Sequence, residues 1–157
     1  MARYELLSTW LLQAPRGAVW EAIEDASAWP SWWRGVVSAE RVGDGDADGV
    51  GRRYRVRWRS AVPYAIGFEF EVLETEAPGY MTGRAVGDLE GTGTWRLFEE
   101  HGVTAVTYDW RVRTTRAWMN LVAPLARPVF EWNHCWVMAR GGEGLAQRLG
   151  VPLLGVA

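Results

Sequence analysis

Few side chains in this chain are equipped for chemistry, and the most suggestive run together in Phe130–Glu131–Trp132–Asn133–His134–Cys135. An imidazole changes charge near neutrality and can give or take a proton, and an amide beside it can orient a carbonyl. His134 and Cys135 are adjacent, so on a helix they project about 100° apart and do not form a base–nucleophile pair. Cys135 then reads as a small buried apolar group. A zinc site needs three or four converging ligands, and the other histidine, His101, falls in a predicted turn, so no metal is expected. No Ser–His–Asp order, nucleophile elbow, phosphate loop or dinucleotide fingerprint occurs, and no cofactor is called for. The chemistry left open is proton transfer around a carbonyl: enolisation, aldol closure or dehydration. That requires one placed acid or base and one donor to the developing oxyanion.

The element that must position these groups is the stretch from Arg116 to Gly150, read as a C-terminal helix bent near Pro124 and Pro128. On it Phe130, Asn133, His134 and Val137 recur at helical spacing and share one ridge. His134 is then either a core residue bonded to a backbone carbonyl or a proton donor and acceptor inside a cavity. Ahead of this helix, Tyr4 to Gln13 reads as a strand and Pro15 opens a helix to Asp25 with Val19, Trp20 and Ile23 as its apolar stripe. A second short helix is expected around Ala28 to Trp33, and Val36 to Val42 as a strand. Asp44, Asp46 and Asp48 resemble the start of a calcium loop, but its twelfth position is Arg55 instead of a bidentate Glu, so a solvated turn is expected.

Two-residue alternation then takes over. Arg53, Arg55, Arg57 and Arg59 alternate with Tyr54, Val56 and Trp58, and Ile66 to Thr75 alternates Phe68, Phe70 and Val72 with Glu69 and Glu71. A hairpin turning at Val62–Pro63–Tyr64 pairs Trp58 with Phe68, Val56 with Phe70 and Tyr54 with Val72. It also sets Arg57 against Glu69 and Arg55 against Glu71, so the arginine ladder reads as an ion-paired outer face and not as a nucleic-acid surface. Tyr80 to Val86, Leu89 to Glu99 and Val103 to Thr115 follow, joined by Gly87–Asp88 and His101–Gly102 as two-residue loops. The second loop places Trp95 opposite Tyr108 and Gly93 opposite Trp110 on the concave face. Tyr108 and Tyr54 are the inner-face groups able to exchange a proton. The first loop, taken as a two-residue turn, points Arg84 inward beside Gly91; a one-residue slip turns it out.

The 157 residues are read as one domain, 1–157, with a formal net charge of −2, 11 Trp, and arginine for all 17 basic residues. The charge gives no global attraction for nucleic acid or anionic membrane. So many indoles either fill a large core or line a pocket. The lone Cys135 rules out an internal disulfide, no apolar run is long enough to span a membrane, and the first residues lack a signal-peptide pattern, so a cytoplasmic monomer or homodimer is expected. Strand, two helices, antiparallel meander and long helix together indicate an α+β fold.

This order, and several short stretches, resemble the START-like helix-grip superfamily, in particular its polyketide cyclase/dehydrase and lipid-transport branch. The carrying residues are Ala14–Pro15 with Val19–Trp20, Trp29–Pro30–Ser31–Trp32–Trp33, Phe130 to His134 with Val137–Met138, and Gly144–Leu145–Ala146. The resemblance implies a seven-stranded curved antiparallel sheet wrapped around the C-terminal helix, with an apolar cavity between. It further implies a small hydrophobic ligand, such as a polyketide, lipid or aromatic compound, and in some members cyclisation.

Within that frame His134 and Tyr108 are the candidate catalytic pair. Asn133, Phe130, Val137, Trp33, Tyr54, Trp58, Phe70, Arg84, Trp95 and Trp110 are the candidate ligand contacts, and any one of the tryptophans or Phe70, taken alone, reads first as plain core. Three functions follow: a binder of a small hydrophobic metabolite, a cyclase or dehydratase working in the same cavity, and a protein-interaction module using the groove.

Overall fold

The computed structural model describes residues 3–157. One antiparallel sheet carries eight strands: β1 (Arg3–Leu12), β2 (Val36–Asp44), β3 (Arg52–Arg59), β4 (Ala65–Glu76), β5 (Tyr80–Gly87), β6 (Leu89–Glu100), β7 (Val103–Thr114) and β8 (Leu153–Val156). Their spatial order is β2-β3-β4-β5-β6-β7-β1-β8, a six-strand meander closed by the first strand and a short last one. Helix α1 (Arg16–Glu24) and a 3₁₀ helix (Ala26–Ser31) follow β1, and α2 (Ala117–Leu121) and α3 (Ala123–Leu149) follow β7. Among the described residues, no helix is long and apolar enough to cross a membrane.

The eighth strand goes beyond the expected seven. Its four residues are too few for a legible alternation, and it forms because β1 offers a free edge: Trp10 pairs with Val156 and Leu11 with Gly155. The terminal helix divides at Val122, just ahead of Pro124, and Pro128 lies inside α3. Pro124 sits in the first turn of α3, where a missing N–H costs nothing. The helix expected at Ala28–Trp33 is the 3₁₀ turn two residues earlier, started by the Asp25 carboxylate accepting from Ser27 N–H.

The β3–β4 hairpin keeps the expected faces but slips by two residues. Trp58 pairs with Ile66, Val56 with Phe68 and Tyr54 with Phe70, and outside Arg55 lies against Glu69, 3.1 Å away. The connection is five residues, Ser60–Tyr64, not three. Ser60 is drawn to α3 by a 2.5 Å hydrogen bond from its hydroxyl to Asn133 Oδ1, and Val62 folds inward. A two-residue slip costs no burial because side chains alternate with period two. The Asp44–Asp48 turn closes on itself, Asp46 Oδ1 accepting from Asp48 N–H and Val50 N–H.

The sheet is bound to α3 by tryptophan. Trp10 (β1) and Trp33 are almost wholly buried and stand edge to face at 5.4 Å. Their indole N–H groups donate to the main-chain carbonyls of Met138 (2.9 Å) and Val137 (2.8 Å) on α3. The rings lie where α3 carries Gly141 and Gly142: a methyl carbon at Gly141 would meet the Trp33 ring at 2.5 Å and the Trp10 ring at 2.7 Å. One turn on, a methyl carbon at Gly144 would overlap the carbonyl oxygen of Trp32. Trp29 joins the cluster, its N–H donating to Ile23 O at 3.0 Å, which ties the 3₁₀ helix to α1. Cys135 is exposed, contrary to expectation, because it lies about 200° round the helix from buried Asn133.

Overpacking a close-packed contact costs about 1–3 kcal/mol. Gly144→Ala is therefore expected to lower the urea-unfolding free energy by about that amount. Gly17→Ala, whose added carbon meets nothing within 4 Å, should be neutral or stabilising by up to about 1 kcal/mol. Equal effects of the two substitutions would contradict the tight helix–tryptophan contact.

Candidate functional site

Between the concave face of the sheet and α3 lies a narrow cavity of about 80 Å³. Its floor is Trp95, Tyr108 and Trp110 of β6 and β7, its flank is Trp58, Ile66 and Phe68 of β3 and β4, and Trp29 and Trp33 come from the 3₁₀ region. The ridge of α3 read from helical spacing supplies the opposite wall: Phe130, Asn133, His134, Val137 and Met138. Ser60, Val62 and Tyr64 of the β3–β4 loop complete it, with Leu89.

The floor is set by strand register. Trp95 faces Tyr108 and Gly93 faces Trp110 across β6–β7, as the His101–Gly102 turn requires; both turn residues adopt positive φ. Trp95 stacks on Tyr108 at 4.2 Å and Tyr108 on Trp110 at 5.5 Å, both within about 27° of parallel. Gly93 makes room for them: a methyl carbon there would meet the Tyr108 hydroxyl at 2.6 Å and the Trp110 ring at 2.9 Å. On the opposite wall Phe130 is held by a stack on Tyr4 (4.0 Å), with the Arg127 guanidinium 4.6 Å from the Tyr4 ring centre.

The polar groups are few. Asn133 accepts from Ser60 through Oδ1, so its amide N–H₂ is left to donate. His134 Nε2 lies 3.4 Å from the hydroxyl of Ser8, a buried serine on β1 that pairs across the strands with Tyr108. Burial holds the His134 pKa down to about 4, so the ring is a neutral imidazole near neutral pH. Desolvation pushes the Tyr108 phenol well above its usual value, with Asp109 adding in the same direction, so it is a neutral O–H. Among the described residues no group of three or more His, Cys, Asp and Glu could hold a metal ion.

Most of the residues read from the sequence converge here, but three do not. Tyr54 and Phe70 point inward as expected yet do not line the cavity. They pair with each other about 13 Å along the strands from Trp58, at the end filled by the main tryptophan core. Arg84 points outward, half exposed, with its guanidinium 3.3 Å from Glu71. The β5–β6 turn is longer than two residues because Asp88 is pulled aside, accepting from Gly67 N–H at 2.9 Å and from Arg116 at 2.8 Å. Pairing therefore runs Arg84 to Thr92 and Ala85 to Gly91, the slip that turns Arg84 out. Ser8 and Ser60 were missed. Ser8 carries a signal, being the hydroxyl among the inward-facing Tyr4, Leu6, Trp10 and Leu12 of β1; Ser60 carries none.

A curved antiparallel sheet gripping a long C-terminal helix, with an aromatic cavity between, defines a helix-grip fold. The family model described as polyketide cyclase/dehydrase and lipid transport matches residues 8–150, and the chain belongs to that family. Among solved structures, TTHA0849 from Thermus thermophilus superposes with a TM-score of 0.74 at 19% identity, over 92% of this chain and 99% of that one. The Zhui aromatase/cyclase from Streptomyces sp. R1128 gives 0.69 at 15% identity, over 94% and 96%. A START superfamily protein from Mycobacterium smegmatis gives 0.70 at 16%, over 92% and 98%. These likenesses establish the fold. No curated protein matches the chain.

A histidine whose pKa is lower when folded binds fewer protons than the unfolded chain between about pH 4 and its unfolded value of about 6.5, so stability falls as pH drops through that window. The loss attributable to His134 is on the order of 3 kcal/mol. Urea unfolding of the wild type and His134→Gln, compared across that range, should show the wild type losing this much more; parallel curves would mean the ring is not buried and neutral.

Proposed function

We propose that this protein binds a small hydrophobic metabolite, apolar over most of its surface with a polar head, in the cavity between the sheet and α3. The observation that carries the reading is a cavity lined by nine aromatic side chains, into which a few polar groups on α3 and β7 converge. A structural core would be expected to close such a space, since each void forfeits packing contacts. A saturating ligand at about one hundred times its dissociation constant adds about 2.7 kcal/mol, or roughly 5–10 °C in melting temperature for a chain of this size. A thermal-shift screen of aromatic ketones, quinones, sterols and acyl lipids is expected to give at least one such rise. A panel without any shift would remove the proposal.

A second reading is a cyclase or dehydratase that works on the bound molecule. It is favoured by the neutral imidazole of His134 in the cavity wall, by the family to which the chain belongs, and by the similarity to an aromatase/cyclase. In this reading His134 moves the proton and Tyr108 donates to the carbonyl oxygen that gains charge. His134→Ala would then cost about 10²–10⁴-fold in turnover while leaving ligand affinity within a few-fold. Parallel loss of affinity and turnover would assign His134 to packing.

A further inference from the structure

The cavity accounts for one ridge of α3 and leaves a second unexplained. Leu125, Val129 and Trp132 recur at i, i+4 and i+7, a stripe about 120° round the helix from the ridge that meets the sheet. All three face solvent, and Trp118 and Leu121 of α2 with Val122 at the junction extend the patch. Leu121 and Leu125, at 83% and 86%, are the most exposed large apolar side chains among the described residues. Single exposed leucines are ordinary, but six large apolar groups between Trp118 and Trp132 mark a surface that meets something other than water. The β3–β4 loop borders it: Ala61 and Pro63 are exposed, and Tyr64 touches Trp118.

Charge around this patch is of one sign. Residues 49–68 and 110–130, which supply the loop and the patch, hold more than half of the 17 arginines and none of the 19 carboxylates. The net charge of −2 conceals this local imbalance. Where the stripe ends, the guanidinium groups of Arg34 and Arg140 stand 5.8 Å and 5.5 Å from the ring centre of Trp136. Arg59 is beside them: its carbonyl oxygen and the Trp136 ring lie 3.5 and 3.8 Å from where a Gly35 side chain would begin. Arg116 is held by Asp88 and Arg140 by Glu143, while Glu131, off the stripe, is held by Arg127. Arg34 and Arg59 form no ion pair among the described residues.

We infer that this face rests on an anionic phospholipid surface, with Leu121, Leu125 and Trp132 sunk among the acyl chains and Arg34 and Arg59 on the lipid phosphates. Leucine and tryptophan beside unpaired arginine are the make-up of a helix lying in a membrane interface. Among the described residues no helix is long and apolar enough to cross a membrane, so the contact is peripheral. A second copy fits the patch less well. An isologous contact would bring its arginine rim against itself with no carboxylate to meet it. The surface is independent of what the cavity holds.

Flotation of the whole chain with phosphatidylcholine vesicles, with and without phosphatidylglycerol, tests this. Two arginines at an anionic surface predict a preference for the mixed vesicles on the order of thirtyfold at low salt, lost at high salt. Leu121→Glu with Leu125→Glu should weaken binding to the mixed vesicles at least about tenfold. Arg34→Gln with Arg59→Gln should remove most of the lipid preference. Both leucines are too exposed to support the fold, so the melting temperature of the leucine variant should be nearly unchanged. If that variant melts early, the arginine variant and the wild-type preference decide. Absence of binding to either vesicle, or binding that all four substitutions leave intact, would overturn the inference. So would wild-type self-association in sedimentation velocity that the leucine variant abolishes, which would give the face to a second copy.

Discussion

The structure depends on the contact between two buried indoles and a glycine-notched helix. Trp10 and Trp33 reach the α3 backbone because Gly141 and Gly142 put no side chain in their way. Their N–H groups bond the carbonyls of Met138 and Val137, which lie one helical turn before those glycines. Each indole thus buries a large apolar surface and satisfies its one donor in a single placement. The same contact fixes the rotation of α3 about its axis. With that rotation set, Phe130, Asn133, His134 and Val137 face the sheet, and Cys135 faces solvent.

Rotation of the helix and register of the sheet then determine the cavity together. The β6–β7 turn locks Trp95 against Tyr108, and Gly93 lets the rings of Tyr108 and Trp110 lean over it. The β3–β4 loop is tied to the helix through Ser60 and Asn133, so the flank and the α3 wall are positioned by one hydrogen bond. Tyr64 of that loop meets Trp118 of α2 edge to face at 5.2 Å, which carries the connection on to the start of the helical segment. A neutral imidazole at His134 follows from this closure, since the ring is removed from water with no carboxylate beside it.

Much of this was legible in the residues. The clean alternation of Arg53 to Trp58 and of Phe68 to Glu71 marks faces, and His101–Gly102 marks a turn whose geometry propagates along both strands. The i, i+3, i+4, i+7 spacing of Phe130 to Val137 marks the helix wall. What escaped is what local pattern does not encode. The two-residue slip of β3–β4 preserves every face, so no burial signal opposes it, and the loop tether that causes it is a long-range contact. Arg84 was decided by Asp88, whose partners Gly67 and Arg116 are distant in sequence. Tyr54 and Phe70 alternate inward just as Trp58 does; only the curvature of the sheet separates the core end of those strands from the cavity end. β8 exists because an edge was available to it.

The tryptophan cluster has an optical consequence as well as a mechanical one. Trp10, Trp29, Trp33, Trp58 and Trp95 are linked by ring-to-ring separations of 5.0–6.2 Å, several at steep angles to one another. Transition dipoles at such spacing couple, so the indoles absorb and emit as an ensemble instead of as separate chromophores. Four of the five also form the cavity wall, and the fifth anchors the helix opposite. The protein therefore carries a built-in reporter, in which an event at one ring is spread across the emission and the near-ultraviolet dichroism of the whole group.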